Sequence, residues 1–336
     1  MKKGLFGIGI LLLILAGIYE AGPRFPKPDL EGGLPSIPVG VEGIASYVEE
    51  KEKNVPVKPD NQSMILWGDS VGRKTEYVLL YLHGFSASRY EGYPVTHDFV
   101  KEFGVNAYLP RLAEHGLKGE EPLLHMSPER LYASAREALA VALSLGEKVI
   151  VMGTSTGGTL GLMLAADFPS DVSALILYSP NIKIKNKMAS LLSGPWGLQI
   201  ARLVYGGKYR PGEEDPDDKI CRYWNCTYRL EAIVYLQQLL DARMNAKEFA
   251  RVKVPVFLGY YYKDETHQDQ TVEVKAALKM FGELGTPASL KRKKAFPDAG
   301  DHVIANESAS GAVQEVERET FDFVREVVGV KGSRGS

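Results

Sequence analysis

A chain of 336 residues with only two cysteines and six histidines offers little to a soft metal. Cys221 and Cys226 cannot complete a four-ligand zinc site between them, and no histidine is spaced to help, so no structural metal is expected. Basic residues number 40 against 42 acidic ones, a net charge of −2, and the lysine-rich patches are short. Without a basic field there is nothing to grip a phosphate backbone, and nucleic acid is not an expected partner. The longest apolar run also falls short of the roughly 18 to 20 residues that span a membrane comfortably. No internal repeat is present, which sets aside solenoids and propellers.

That apolar run is nevertheless distinctive. Lys2 and Lys3 precede the uncharged stretch Gly4 to Tyr19, centred on Ile8 to Leu15, which reads as an export signal. No A-x-A cleavage site follows, because Tyr19 and Glu20 interrupt the small residues. Residues 1–20 are therefore either a cleaved signal peptide or an uncleaved signal anchor with membrane contact through residues 5–19. The absence of a following cysteine disfavours a lipoprotein. Either way the chain is expected to be exported, as a periplasmic, secreted or membrane-anchored protein. Cys221 and Cys226 can there form a bridge of modest worth, since it closes a short loop, or remain buried thiols.

Residues 21–62 are rich in proline and glycine, with one helical patch at 43–52, and read as a linker and arm lying on the main domain. Beyond them, β-type runs such as Tyr77–Leu82, Lys148–Met152, Ala174–Tyr178 and Val254–Tyr260 alternate with helical ones. Ser127-Pro128-Glu129 opens one helix with a capping serine and a first-position proline, and Gly146 stops it. The alternation predicts an α/β fold with a doubly wound, mostly parallel sheet, its core formed by residues 63–180 and 251–330. Residues 181–250 hold aromatic, helical pieces but no strong buried strand. They are expected to insert a helical cap over the carboxyl ends of the strands, where open sheets bind ligands. Residues 331–336 form a tail.

Chemistry concentrates around Ser155, in Gly153-Thr154-Ser155-Thr156-Gly157 between a β-type run and a small-residue helix. This is the strand, turn and helix context of a G-x-S-x-G nucleophile elbow, in which glycines two positions either side of the serine relieve crowding. A serine hydroxyl needs a base and an orienting acid. His302, between the last strand and the last helix, is the candidate base. Asp264, the first carboxylate past Tyr260, is the candidate acid, with Glu265 and Asp269 as competitors; Asp269 also reads as the cap of a helix over Gln270–Leu284. The backbone N–H groups of Thr156 and Phe85 are the candidate oxyanion donors, and His83 is read as a structural histidine holding the loop of Phe85.

Leu82-His83-Gly84-Phe85, then Leu109-Pro110-Arg111-Leu112-Ala113-Glu114-His115-Gly116, then the elbow, Asp264 and His302 together resemble the α/β-hydrolase superfamily. Within it they look most like the carboxylesterase and monoacylglycerol-lipase-like branch, over about residues 63–328. The resemblance implies a serine hydrolase acting on a small-molecule ester or lipid-like substrate, without metal or cofactor, and a structural role for Arg111 and His115. Amide hydrolysis, peptide cleavage or acyl transfer use the same triad, and a binding protein that kept the fold without the activity is the non-enzyme alternative. Peptide cleavage would demand a pocket for a charged terminus, and the cap's one acidic cluster, Glu213-Glu214-Asp215, reads as a solvated turn.

Overall fold

The computed structural model describes residues 12–212 and 219–333. Lys2, Lys3 and the start of the apolar run, the acidic trio Glu213, Glu214 and Asp215, and the last three residues of the tail lie outside the described residues. The strands are β1 (Met64–Leu66), β2 (Thr75–Leu82), β3 (Asn106–Leu109), β4 (Gly146–Thr154), β5 (Val172–Tyr178), β6 (Tyr209–Arg210), β7 (Tyr228–Arg229), β8 (Val256–Tyr260) and β9 (Lys291–Ala295). Seven of them form one sheet in the order β1-β3-β2-β4-β5-β8-β9, parallel throughout except for the antiparallel edge strand β1, while β6 and β7 pair as a separate ribbon.

Helix α1 (residues 12–20) and α2 (Ile44–Glu52) belong to the N-terminal arm. Helices α3 (Val95–Phe103), α4 (Pro128–Leu145) and α5 (Thr156–Asp167) connect the strands from β2 to β5. Between β5 and β8 lie α6 (Gly197–Tyr205), α7 (Lys219–Tyr223), α8 (Leu230–Arg243) and α9 (Ala246–Phe249); α10 (Val274–Glu283) joins β8 to β9, and α11 (Val313–Phe323) follows the sheet.

The central strands are apolar at consecutive positions because both faces are covered. Val78, Leu80 and Leu82 of β2 point into the cluster shared with α4 and α5, whereas Leu79 and Tyr81 point to the opposite side, against α3 and α11. The same alternation runs through β4 and β5. The Ser127 hydroxyl accepts from the Arg130 N–H to open α4, and Gly146, extended at φ −157°, turns the chain directly from α4 into β4. Leu30, Ile44 and Val48 of the arm join the core beside α4.

Three local outcomes refine the sequence reading. The helix expected from Gln270 begins at Val274 with Glu273 at its N-cap, so Asp269 caps nothing. Cys221 and Cys226 form a disulfide. Among the described residues no helix is long and apolar enough to cross a membrane. Helix α1 leaves Leu12, Leu13, Ile14, Leu15 and Ile18 exposed, and its end is tied to the segment before α6 by the Trp196 indole, which donates to the Ile18 carbonyl at 3.1 Å.

Candidate active site

Ser155 sits between β4 and α5 at φ 53° and ψ −117°, a conformation costly for any residue with a side chain. Its N–H donates to the Tyr178 carbonyl at 2.9 Å, and its own carbonyl accepts from Thr159 and Asn181, so the neighbouring elements hold the strain in place. The flanking glycines are required sterically. A Cβ on Gly153 would lie 2.5 Å from the backbone of Gly157, and one on Gly157 only 1.8 Å from the Leu82 carbonyl oxygen. The bend therefore presses α5 against the end of β2.

His302 lies past β9, as expected, and donates from Nδ1 to Asp269 Oδ2 at 2.6 Å. Asp269 is 1% exposed, and its other oxygen accepts the N–H groups of Thr271 and Val272 at 2.8 and 3.0 Å. Burial alone would raise its proton affinity, but His302 and these two amides hold the carboxyl below its ordinary range. Burial by itself would lower the His302 ring; the Asp269 charge and hydrogen bond, then the charges of Glu91 and Asp301, outweigh it, and the ring titrates above its ordinary value. With Nδ1 committed to Asp269, Nε2 of the neutral ring is an acceptor. It is buried and has no partner among the described residues.

Asp264 is not part of this pair, which corrects the sequence assignment of the acid. After β8 the chain folds back on itself: Tyr262 bridges Gln268, Lys263 N–H donates to the His267 carbonyl, and Asp269 N–H donates to the Tyr261 carbonyl. The first carboxylate past the strand is thereby carried to the tip of a turn, where Asp264 is half exposed and accepts from Thr266 and His267. Asp269 returns to the base of the turn. Glu265, the other competitor, is exposed and paired with Lys275.

The loop carrying Phe85 is fixed from several sides. Leu112 N–H donates to His83 Nε2 at 3.1 Å, so the ring proton is on Nδ1 and is donated to the Gly84 carbonyl at 2.9 Å. Because the Gly84–Phe85 peptide is trans and planar, holding its carbonyl also fixes the direction of the Phe85 N–H. Burial keeps His83 well below its ordinary pKa, with the His115 and Arg111 charges acting the same way, so the ring stays neutral. Arg111 donates to Glu52 of α2 at 2.8 Å and to the His115 carbonyl at 3.1 Å, bracing the floor behind the loop. Thr156 supplies the first N–H of α5, a position with no intrahelical acceptor.

A cavity of about 650 Å³ opens over these groups and is lined by Phe85, Ser155 and His302 together with residues of the 181–250 segment. Met188, Leu192, Ile200, Val204, Ile233 and Leu236 make that side apolar. One polar group in the wall has no counterpart in the sequence reading. Glu91, on the single helical turn Arg89–Gly92, is 2% exposed. No periodicity or motif marks it, because only the closing of that turn over β2 buries it.

The sequence model of the alpha/beta hydrolase family matches residues 79–315. No curated protein matches the chain in sequence. Solved structures resemble it in fold. One is from work on LipS and LipT, two metagenome-derived lipolytic enzymes, with a TM-score of 0.64 and 16% identity over 80% of this chain and 99% of that one. Another is the monoacylglycerol lipase of Paleococcus ferrophilus, with a TM-score of 0.54 and 16% identity over 78% and 97%. A third is a soluble variant of the monoglyceride lipase of Saccharomyces cerevisiae, with a TM-score of 0.57 and 14% identity over 78% and 90%.

Proposed function

This chain belongs to the alpha/beta hydrolase family, and from that premise we propose that it hydrolyses carboxylic esters through an acyl-enzyme on Ser155. The observation that carries the reading is the pairing of His302 with the buried Asp269, which leaves His302 Nε2 without a partner in the wall of the cavity that Ser155 also lines. In the proposed reaction His302 Nε2 takes the Ser155 proton as Oγ attacks the ester carbonyl, and Asp269 stabilises the imidazolium that forms. The N–H groups of Phe85 and Thr156 hold the oxyanion; losing one such donor typically costs about 10² to 10³ in rate. The imidazolium then returns its proton to the departing alcohol. Water, deprotonated by the same ring, attacks the acyl group, and the proton goes back to Ser155 Oγ as the acid leaves.

The apolar lining supports an acyl or aryl group of low polarity, as does the exposure of Met188, Val204 and Ile220 at the cavity wall. The lipolytic activities of the lipases named above accord with this substrate class. A panel of p-nitrophenyl esters from acetyl to palmitoyl tests the reading. The wild type is expected to turn over at least one ester, and Ser155→Ala to lose about 10⁴-fold or more in kcat while keeping its fold. A folded wild type inert to the whole panel would overturn it.

Export and membrane contact through residues 5–19 belong to the same proposal, supported by the disulfide, which suits an oxidising compartment, and by the exposed apolar side chains of α1. The full chain is expected to sediment with liposomes, and the chain lacking residues 1–20 to stay in the supernatant. Equal sedimentation of the two would refute the contact.

A further inference from the structure

Glu91 is a buried carboxyl group that the acyl-enzyme route above does not use. Its Oε2 accepts the Gly84 N–H at 2.5 Å and lies 3.4 Å from the Tyr81 hydroxyl, which is itself 3.0 Å from Thr154 Oγ1 of β4. A Cβ placed on Gly84 would come within 2.8 Å of Glu91 Oε1 and 3.2 Å of Ser155 Cβ, so carboxylate and serine face the one small space that the missing side chain leaves. Glu91, Ser155, His302 and Trp224 line the same cavity. A carboxylate held there needs a reason, because burying one is costly unless the site uses or compensates the charge.

We propose that Glu91 is a positioning residue of the active site: its carboxylate fixes the oxyanion loop at Gly84, and its charge acts on His302 in the cavity that both line. The inference rests on the ester-hydrolase reading. His83 holds the carbonyl of Gly84 and Glu91 holds its N–H, so both peptide planes that meet at Gly84, including the one that carries the Phe85 N–H, are anchored before any substrate arrives. The 221–226 disulfide loop adds a third tie, since Asn225 N–H donates to the Ser86 carbonyl at 2.7 Å.

The charges that bear on the His302 ring come from three places: Asp269 in the loop after β8, Asp301 beside it, and Glu91 from across the cavity. Around Glu91 itself stand the Gly84 N–H, His302, the Tyr81 hydroxyl and Trp224. Burial raises its carboxyl group to about 7 against the pull of these four. Glu91 and His302 each favour the charged form of the other. Glu91 exchanges no proton with substrate; it makes the imidazolium easier to form while Asp269 orients the ring.

The test is an NMR titration of the His302 ring in the full chain, assigned by its loss in His302→Ala, read beside kcat and KM across pH. Glu91→Gln keeps an oxygen for the Gly84 N–H and removes the charge. The ring pKa is expected to fall by about half a unit or more, and the acid limb of kcat/KM to move down with it. Glu91→Ala, which orphans the Gly84 N–H, is expected to lose about tenfold or more in kcat with little change in KM, and Glu91→Gln to restore most of that loss. An unchanged ring pKa in Glu91→Gln would overturn the inference, as would a Glu91→Ala enzyme as fast as the wild type. If Glu91→Gln does not fold, wild type labelled with ¹³C at the glutamate carboxyl answers the same question. One carboxyl should titrate near 7, lost in Glu91→Asp, and a Glu91 carboxyl titrating in the ordinary glutamate range would overturn the inference. A wild type without esterase turnover strikes the functional reading, whereas the ring titration decides the role of Glu91 on its own.

Discussion

At Asp269 one carboxylate oxygen decides which nitrogen of His302 carries the ring proton. Asp269→Asn presents an amide to Nδ1 and favours the wrong tautomer, so kcat is expected to fall by about 10³ to 10⁴. Asp264→Asn, at the tip of the turn, is expected to leave kcat unchanged; the reverse pattern in steady-state kinetics would return the role to Asp264. The pH profile follows from the same pair. His302 must be neutral to accept the serine proton, and its pKa is raised, so the acid limb of kcat/KM should lie above the ordinary imidazole value near 6.5. A midpoint at or below that value would contradict the effect of the Asp269 charge on His302. Ser155 and His302 were legible in the sequence because each stands against a strong local pattern, an elbow in one case and the junction of last strand and last helix in the other. Asp269 as the partner of His302 was not, since its place depends on a fold-back between Tyr261 and Asp269. The one local clue was Asp264-Glu265-Thr266, a pattern suited to an Asx turn, which marks a tip rather than a site.

Among the elements, the junction of β4 and α5 is the least tolerant. Gly157→Ala would push a methyl group into the Leu82 carbonyl and part α5 from β2, and a loss of about 3 kcal/mol or more is expected together with most of the activity. Gly282→Ala in α10 meets nothing within 4 Å and lies in a helix, so it should stabilise by about 0.5 to 1 kcal/mol. Thermal unfolding of the two variants checks both signs, and a neutral Gly157→Ala would mean the elbow is looser than its contacts indicate. The parallel strands were readable from apolar runs buried on both faces, and the start of α4 from Ser127 and Pro128. The start of α10 was misread because Asp269 satisfies amides in a loop just as a cap would; what distinguishes the two is the imidazole against it, contributed from 33 residues further along the chain.

For the whole molecule, the sheet brings three loops to one end: those after β4, β8 and β9 carry Ser155, Asp269 and His302, and the loop after β2 brings Phe85 there too. The strand order β2-β4-β5-β8-β9 makes this meeting possible; alternation of strand and helix in the sequence predicted the parallel sheet but not that order. The helical insertion of residues 181–250 was anticipated in kind but not in detail, because its shape depends on contacts with the arm and with the disulfide loop. The proposed chemistry turns on a covalent bond at one oxygen. A fluorophosphonate probe followed by peptide mass spectrometry tests it most directly: a single adduct is predicted on Ser155, absent from Ser155→Ala and strongly slowed in His302→Ala, whereas a folded wild type left unlabelled, or labelled at another residue, would contradict it.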